Sequence, residues 1–262
     1  MRKARKTPDS MTFLEHLEDL RKRIFYSFVA LVVAIIPCWF FHKEAFNILA
    51  RPVTKFLPEG EKLAFTTLTA PFMLYIKVSF LAAIFLVSPF IFLQLWYFIA
   101  PGLYKKEKKY VIPFVIFTTV FFTLGALFGY FIAFPFACSF FLKLGADFHP
   151  VITVDKYFSL ALRVILGIAL VFELPTLVFF LSRMGIITPR WMVKNFKYAV
   201  LFVFITAAII TPSPDVVNQS IIAFPMLALY GLGILIAIVF GKKKNGKEKK
   251  KKEKSSEEDL AG

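Results

Sequence analysis

Glu173 is the only charged residue in an apolar run that extends from residue 164 to residue 181. A carboxylate at the centre of a bilayer costs roughly 2.5–3.5 kcal/mol on insertion scales, so the group needs a proton, a wet groove or a polar partner from another helix. Arg163 lies ten residues away. On a helix this separation is roughly 15 Å along the axis and about 80° around it, which excludes a direct pair. A proton relay and a contact for another helix both remain open for Glu173.

Two further groups of acids lie beside basic residues at the ends of apolar runs. Glu107 is surrounded by four lysines in the segment FIAPGLYKKEKK, and Glu15, Glu18 and Asp19 lie in the segment HLEDLRKR or directly before it. These acids could merely soften the repulsion between neighbouring bases. They could also bind a guanidinium group, which pairs with a carboxylate through two parallel hydrogen bonds.

A third polar group, formed by Asp215, Asn218 and Gln219, follows the segment TPSP near the C-terminal end of the apolar region. Turn formation and helix capping explain this group adequately, and Asp215 is well suited to a capping position.

The sequence lacks the patterns that predict an enzyme. Its three histidines are isolated from one another, and it contains no HExxH, GxSxG, Walker or glycine-rich dinucleotide motif. The apolar runs also lack the Ser–His or paired-Asp arrangement of an intramembrane protease. We therefore predict no catalytic residue and no metal ligand.

These polar residues must be positioned by membrane helices. Hydrophobic residues form 58% of the chain and the mean hydropathy is +0.69, which predicts an all-α polytopic membrane protein. Prolines within the apolar runs favour bent helices and a concave, curved bundle. Cys38 and Cys138 are interpreted as apolar buried cysteines rather than as a disulfide. We predict six spans, at about residues 24–41, 74–100, 111–136, 157–181, 197–211 and 219–240.

The distribution of lysine and arginine predicts the orientation. Seven of these residues lie in 1–23, four in 101–110, four in 182–197 and nine in 241–262, whereas the alternate loops 42–73 and 137–156 hold four and two. The positive-inside rule then places both termini in the cytoplasm.

The chain accordingly divides into three parts. We predict a cytoplasmic amphipathic helix within residues 1–23, a membrane domain over 24–240 and a disordered basic tail over 241–262. A basic block directly after a span is more typical of contact with anionic lipid than of nucleic-acid binding.

Taken together, HLEDLRKR at 16–23, FIAPGLYKKEKK at 98–109, FELP at 172–175 and TPSPDVVNQ at 211–219 resemble the TatC family, the receptor subunit of the twin-arginine protein translocase. The resemblance covers about residues 11–240. It implies six spans with two short final helices, both termini in the cytoplasm of a bacterial inner membrane, and no cofactor. It also implies binding of twin-arginine signal peptides on folded precursors, assembly with single-span TatA/TatB-type subunits and other TatC copies, and export driven by the proton-motive force.

The resemblance assigns roles to individual residues. Signal-peptide binding would fall to Glu107, Glu18, Asp19, Arg21 and Phe98; contact with a partner helix would fall to Glu173; and Asp215 and Gln219 would be polar positions at the outer end. Asp19 stands where the family usually has glutamate.

Two other classes of membrane protein compete with this interpretation. A secondary transporter would use Glu173 as a proton relay, but it usually contains internal repeats and further polar groups at the membrane centre, and the sequence shows neither. A lipid-binding or scaffolding protein would have no peptide substrate. Binding of a twin-arginine peptide, compared with a twin-lysine control, separates the three classes.

Overall fold

The computed structural model describes residues 13–54, 63–99, 111–148, 151–183, 185–211 and 215–241. Almost all of these residues are helical. The β-type pairing among them is an isolated parallel bridge between Ala64 and Thr153. The helices are α1 (Phe13–Phe40), α2 (His42–Thr54), α3 (Ala70–Ile99), α4 (Val111–Phe128), a π-helical segment (Gly129–Ala133), α5 (Phe134–Leu144), α6 (Val154–Val171), α7 (Leu174–Arg183), α8 (Pro189–Lys194), α9 (Phe196–Ile210) and α10 (Val216–Phe240).

Within the described ranges, five helical stretches are long and apolar enough to cross a membrane, and α9 is a shorter apolar helix. These six correspond in order to the six predicted spans. The prediction of two short final helices is correct only for α9, which has 15 residues. Helix α10 has 25 residues and begins directly after Asp215 instead of at Gln219.

One predicted boundary differs from the structure. The amphipathic segment leads into the first span without interruption, and the two form one continuous helix, α1. The predicted loop 137–156 is helical as far as Leu144, and it follows a π-helical segment in which the amide of Phe134 bonds to the carbonyl of Gly129. Pro135 has no amide to donate, and the wider π turn accommodates this loss without ending the helix.

The fourth span is divided where FELP occurs. Helix α6 ends at Val171, two turn residues follow, and α7 begins at Leu174. Pro175 cannot donate to the carbonyl of Val171, so the regular ladder stops there. Glu173 consequently lies at a helix junction within the membrane.

Close backbone contacts hold the middle of the bundle together. A Cβ atom added at Gly125 of α4 would lie 2.7 Å from the Phe172 Cβ and 2.8 Å from the Ala169 Cα, and one at Gly129 would lie 3.1 Å from the Ile165 Cα. Two glycines four residues apart thus let α4 approach α6 closely, as in other small-residue crossings in membranes.

The bundle has two ends, which we call the terminal end and the loop end after the parts of the chain that lie there. The terminal end holds the start of α1 and the end of α10, and the loop end holds α2 and the turns before α6 and α10. At the loop end the hydroxyls of Tyr130 and Tyr157 donate to the carbonyls of Ile48 and Leu49, at 2.5 and 3.0 Å, and fix α2 on the bundle. Lys77 of α3 pairs there with Asp155 of α6.

Cys38 and Cys138 are both free thiols; Cys138 is buried and Cys38 is half-buried, in agreement with the predicted absence of a disulfide.

Candidate functional site

The first turns of α1 carry acids that are each paired with a base one turn later. Glu18 contacts Lys22 at 2.8 Å, and both side chains are more than half exposed. Asp19 contacts Arg23 at 3.5 Å, with about a quarter of each side chain exposed. Arg21 is exposed on the same segment. Because the Glu18–Lys22 pair is exposed, it is weak and screened by salt, and the Glu18 carboxylate remains available to a stronger partner.

Arg23 also connects α1 to the end of α3. Its guanidinium donates to the Gln94 Oε1 at 3.1 Å and lies over the Tyr97 ring, 5.1 Å from the centroid. About two turns earlier on α1, the ring of His16 stacks on Phe98 with 4.5 Å between the ring centroids. These contacts hold the acid-bearing turns of α1 against the last two turns of α3.

A groove of about 350 Å³ separates the same two helices just inside the terminal end. Arg23 and Gln94 form its polar part, and Phe98 closes one side. The rest of the lining is apolar apart from Ser27 and consists of Leu20, Ile24, Phe28, Leu31, Ile91 and Leu95. The paired acids, Phe98 and this groove therefore form one continuous surface, which we call the α1–α3 surface.

Glu107, the remaining predicted member of the peptide-binding set, lies outside the described residues. It follows α3 by eight residues.

Glu173 is almost completely buried, with 8% of its surface exposed. The hydroxyl of Thr176, three residues further on, interacts with the carboxyl group, but the Glu173 Oε1 atom has no hydrogen-bonded partner among the described residues. Arg163 is exposed on another part of the bundle, as the spacing of the two residues predicted. Burial without a matching partner is costly, and this makes Glu173 a candidate contact for a group from outside the chain.

At the loop end, Asp215 caps α10. Its Oδ1 accepts from the Asn218 amide at 2.7 Å and its Oδ2 accepts from the Asn218 side chain at 2.9 Å, so the predicted capping role is confirmed. Gln219 is also used structurally, because its Nε2 donates to the Phe204 carbonyl of α9 at 2.7 Å. These bonds fix the hairpin of α9 and α10.

Comparison with known proteins identifies the family. The family model described as "Sec-independent protein translocase protein (TatC)" matches residues 15–225. The TatC protein of Koribacter versatilis (strain Ellin345) is 43% identical over 236 residues, covering 89% of this chain and 87% of that protein. The TatC protein of Helicobacter pylori (strain J99) is 44% identical over 223 residues, covering 85% and 87%. The chain belongs to the TatC family.

Solved structures agree with this assignment. A crystal structure of the twin arginine translocase receptor TatC superimposes with a TM-score of 0.75 at 36% identity, covering 86% of this chain and 99% of that one. A second crystal structure of that receptor, in DDM, gives 0.77 at 36% identity with 87% and 100% coverage. As a TatC-family protein the chain is a membrane-embedded component of a Sec-independent protein translocase.

The structure of this TatC-family chain brings some of the predicted residues together. Glu18, Asp19 and Phe98 lie on or beside the α1–α3 surface, whereas Glu173 lies deeper in the bundle and Asp215 and Gln219 lie at the opposite end. Sequence reasoning missed Arg23 and Gln94, which join the two helices. A signal for Gln94 was present, because it is the only amide side chain in the apolar sequence of α3.

Proposed function

We propose that this chain is the receptor subunit of a twin-arginine translocase and that the α1–α3 surface binds the signal peptides of folded precursors. The observation that supports this role is the anchoring of α1 to α3 by Arg23 and the His16–Phe98 stack. It presents carboxylates in a fixed place on a segment that is otherwise basic. Lysine-rich surroundings repel an arginine pair, so only acids held at a defined position can select for it.

Recognition follows from the difference between ammonium and guanidinium groups. Lys22 offers Glu18 a compact charge in an exposed pair, whereas an incoming arginine offers a planar fork that binds a carboxylate with two hydrogen bonds. An arginine of the peptide therefore displaces the intramolecular partner of Glu18 or Asp19. Glu107 supplies a further carboxylate for the second arginine, and Arg21 and Phe98 border the pair.

Glu173 serves a different partner in this proposal. Because the Glu173 Oε1 atom is buried and has no hydrogen-bonded partner among the described residues, it can form a hydrogen bond with a polar residue on the single membrane helix of a TatA- or TatB-type subunit. The Asp215–Gln219 hairpin stabilises the outer end of α9 and α10. Other TatC copies complete the assembly.

The protein is thus a transport component and not an enzyme. It lies in the bacterial inner membrane with both termini in the cytoplasm, as the lysine and arginine distribution indicates, and the proton-motive force drives export.

Peptide binding by the purified chain in nanodiscs tests the receptor role. Glu107→Ala should weaken binding of a twin-arginine peptide at least about tenfold, because a charge-assisted bidentate pair is lost. The same substitution should change binding of the twin-lysine control much less. Equal losses for the two peptides would contradict bidentate recognition, and absence of twin-arginine binding in the unmodified chain would favour the transporter or scaffold alternative.

A further inference from the structure

The connection between α7 and α9, which includes α8, carries bases without any acid. Arg190 and Lys194 of α8 and Lys197 at the start of α9 are all exposed. The sequence has no aspartate or glutamate between Glu173 and Asp215, and the ion pairs of the described residues include none of these three bases. On α1, by contrast, two bases are each paired with an acid one turn earlier. The α8 region therefore presents positive charge that the chain itself leaves unneutralised.

Helix α8 is fixed on the bundle in one orientation. Gly185 has a φ of 78°, and this left-handed residue turns the chain after the end of α7. Thr188 then caps α8 by accepting from the Trp191 amide at 3.3 Å. Met192 is only 1% exposed, and its carbonyl accepts from the Tyr230 hydroxyl of α10 at 3.1 Å. These contacts determine which face of α8 is directed outward.

The helical register directs the bases of α8 away from the bundle. Arg190 and Lys194 are each two residues from the buried Met192, which is about 200° around the helix. Because the two bases are four residues apart, their Cβ atoms lie about 5–6 Å from each other on one face. Like charges at this spacing repel each other, so an anion that contacts both would stabilise α8.

The position of α8 in the chain places these bases at the depth of lipid headgroups. Helix α9 follows directly and has 15 residues, which gives a length of roughly 22 Å against roughly 30 Å for a hydrocarbon core. Residues at the end of so short a span are drawn towards the headgroup region. Trp191 and Tyr198 are 54% and 60% exposed, and these two residue types are enriched at membrane interfaces.

We propose that Arg190, Lys194 and Lys197 bind the phosphate group of an anionic phospholipid, with Trp191 and Tyr198 at the boundary between its headgroup and its acyl chains. The Lys197 ammonium lies 5.1 Å from the centroid of the Tyr198 ring, so a base and an interfacial aromatic residue already occupy one place. A zwitterionic lipid brings an ammonium group that the three bases repel, whereas phosphatidylglycerol brings only negative charge. We call these five residues the α8 lipid site.

A lipid suits this site better than a peptide substrate does. The end of α7 lies at the terminal end of the bundle, since a Cβ atom added at Gly241 would be 2.7 Å from the Ser182 Oγ. In the proposed orientation this end faces the cytoplasmic leaflet, whose surface potential is negative, and only this choice of leaflet rests on the proposed function. A twin-arginine peptide is itself basic and would be repelled. The α1–α3 surface and the α8 lipid site thus take partners of opposite charge at the same end.

Quenching of tryptophan fluorescence by brominated lipid tests the site, because bromine on an acyl chain quenches only nearby indoles. The full chain is reconstituted in vesicles that contain phosphatidylglycerol and phosphatidylcholine in a fixed proportion, with the bromine on one lipid or the other. The contribution of Trp191 is the difference from the Trp191→Phe variant in each background. We expect phosphatidylglycerol to be preferred near Trp191 at least about threefold, and the preference should shrink at high salt.

Substitutions at the bases should remove this preference selectively. Arg190→Gln/Lys194→Gln should bring the ratio of the two lipids close to one, whereas Arg190→Lys should retain most of the preference because the charge is kept. Lys143→Gln/Lys156→Gln is the matched control. It removes two exposed lysines at the loop end with the same change in net charge, and it should leave the preference unchanged.

Three results would overturn the proposal. Equal quenching by the two lipids in the unmodified chain would show that anionic lipid is not selected, and would favour an acidic segment of a partner subunit as the occupant. A preference that survives in Arg190→Gln/Lys194→Gln would place the lipid elsewhere. An equal loss in the loop-end control would reduce the effect to net charge. The assay contains no peptide and both leaflets contain both lipids, so its outcome is independent of the proposed receptor role and orientation.

Discussion

The carboxylates of the α1–α3 surface and the carboxyl group of Glu173 illustrate two ways in which a chain can hold an acid. Glu18 and Asp19 lie near the terminal end, and each is already paired with a base of its own helix. Glu173 lies in the bundle, where the Oε1 atom has no hydrogen-bonded partner among the described residues. Glu18 can exchange its exposed partner for another at little cost, whereas Glu173 has an unmet requirement for a partner.

This difference indicates two kinds of binding. An acid in an exposed pair selects among cations by the geometry of the hydrogen bonds that each can offer. A buried acid binds any polar group that reaches it, because without such a group one of its oxygen atoms stays unsatisfied in an apolar environment. Transient recognition of many peptides suits the first arrangement, and lasting contact with a subunit suits the second.

The position of Glu173 depends on the crossing of α4 and α6, and Gly125→Ala should disrupt it most strongly. The new methyl group would lie 2.7 Å from the Phe172 Cβ and 2.8 Å from the Ala169 Cα, and overpacking of this kind costs about 1–3 kcal/mol. We expect a lower unfolding midpoint in thermal or detergent denaturation.

Gly231→Ala on α10 is the matched control for that change. A Cβ atom at Gly231 meets nothing within 4 Å, and alanine exceeds glycine in helix propensity by up to about 1 kcal/mol. The two variants should therefore shift the midpoint in opposite directions. A midpoint unchanged by Gly125→Ala would show that the α4–α6 crossing does not position the helix junction.

Glu173→Ala should have the next largest effect, and it should affect assembly rather than folding. The change removes a buried polar group that lacks a matched partner, so the free energy of unfolding should stay the same or rise. Co-purification of a single-span partner subunit should fall at least about tenfold, because the buried hydrogen bond across the interface is lost. Binding of a twin-arginine peptide should be retained. Unfolding of this variant would instead assign Glu173 to the stability of the bundle.

The sequence was sufficient to predict features that depend on local chemistry. Apolar runs predicted the membrane helices, Asp215 was recognised as a cap, and the spacing of Arg163 and Glu173 excluded a direct pair. The break in the fourth span was less apparent, since a proline such as Pro175 is compatible with a bend within one helix as well as with a break. The π-helical segment before Pro135 was also missed, because a proline can be accommodated by a kink, a break or a wider turn, and neighbouring helices decide which.

Features that depend on contacts between helices were not predictable from one sequence. The Arg23–Gln94 bond joins residues 71 positions apart, and the Gln219–Phe204 bond involves a carbonyl that no side-chain pattern specifies.

Lys22→Ala should have the smallest effect on peptide affinity, and the direction of that effect is informative. Lys22 pairs with Glu18 at 2.8 Å in an exposed position, so its removal frees a carboxylate at the α1–α3 surface and reduces repulsion of incoming arginines. Affinity for a twin-arginine peptide should rise about two- to threefold, and the increase should shrink at high salt. Arg23→Ala also removes a base paired with an acid, but it breaks the link to Gln94 and Tyr97 and should lower affinity. If both variants changed the affinity for the peptide in the same direction, net charge would explain the result. A higher affinity for Lys22→Ala and a lower affinity for Arg23→Ala would require that Arg23 positions the surface, whereas Lys22 merely competes for Glu18.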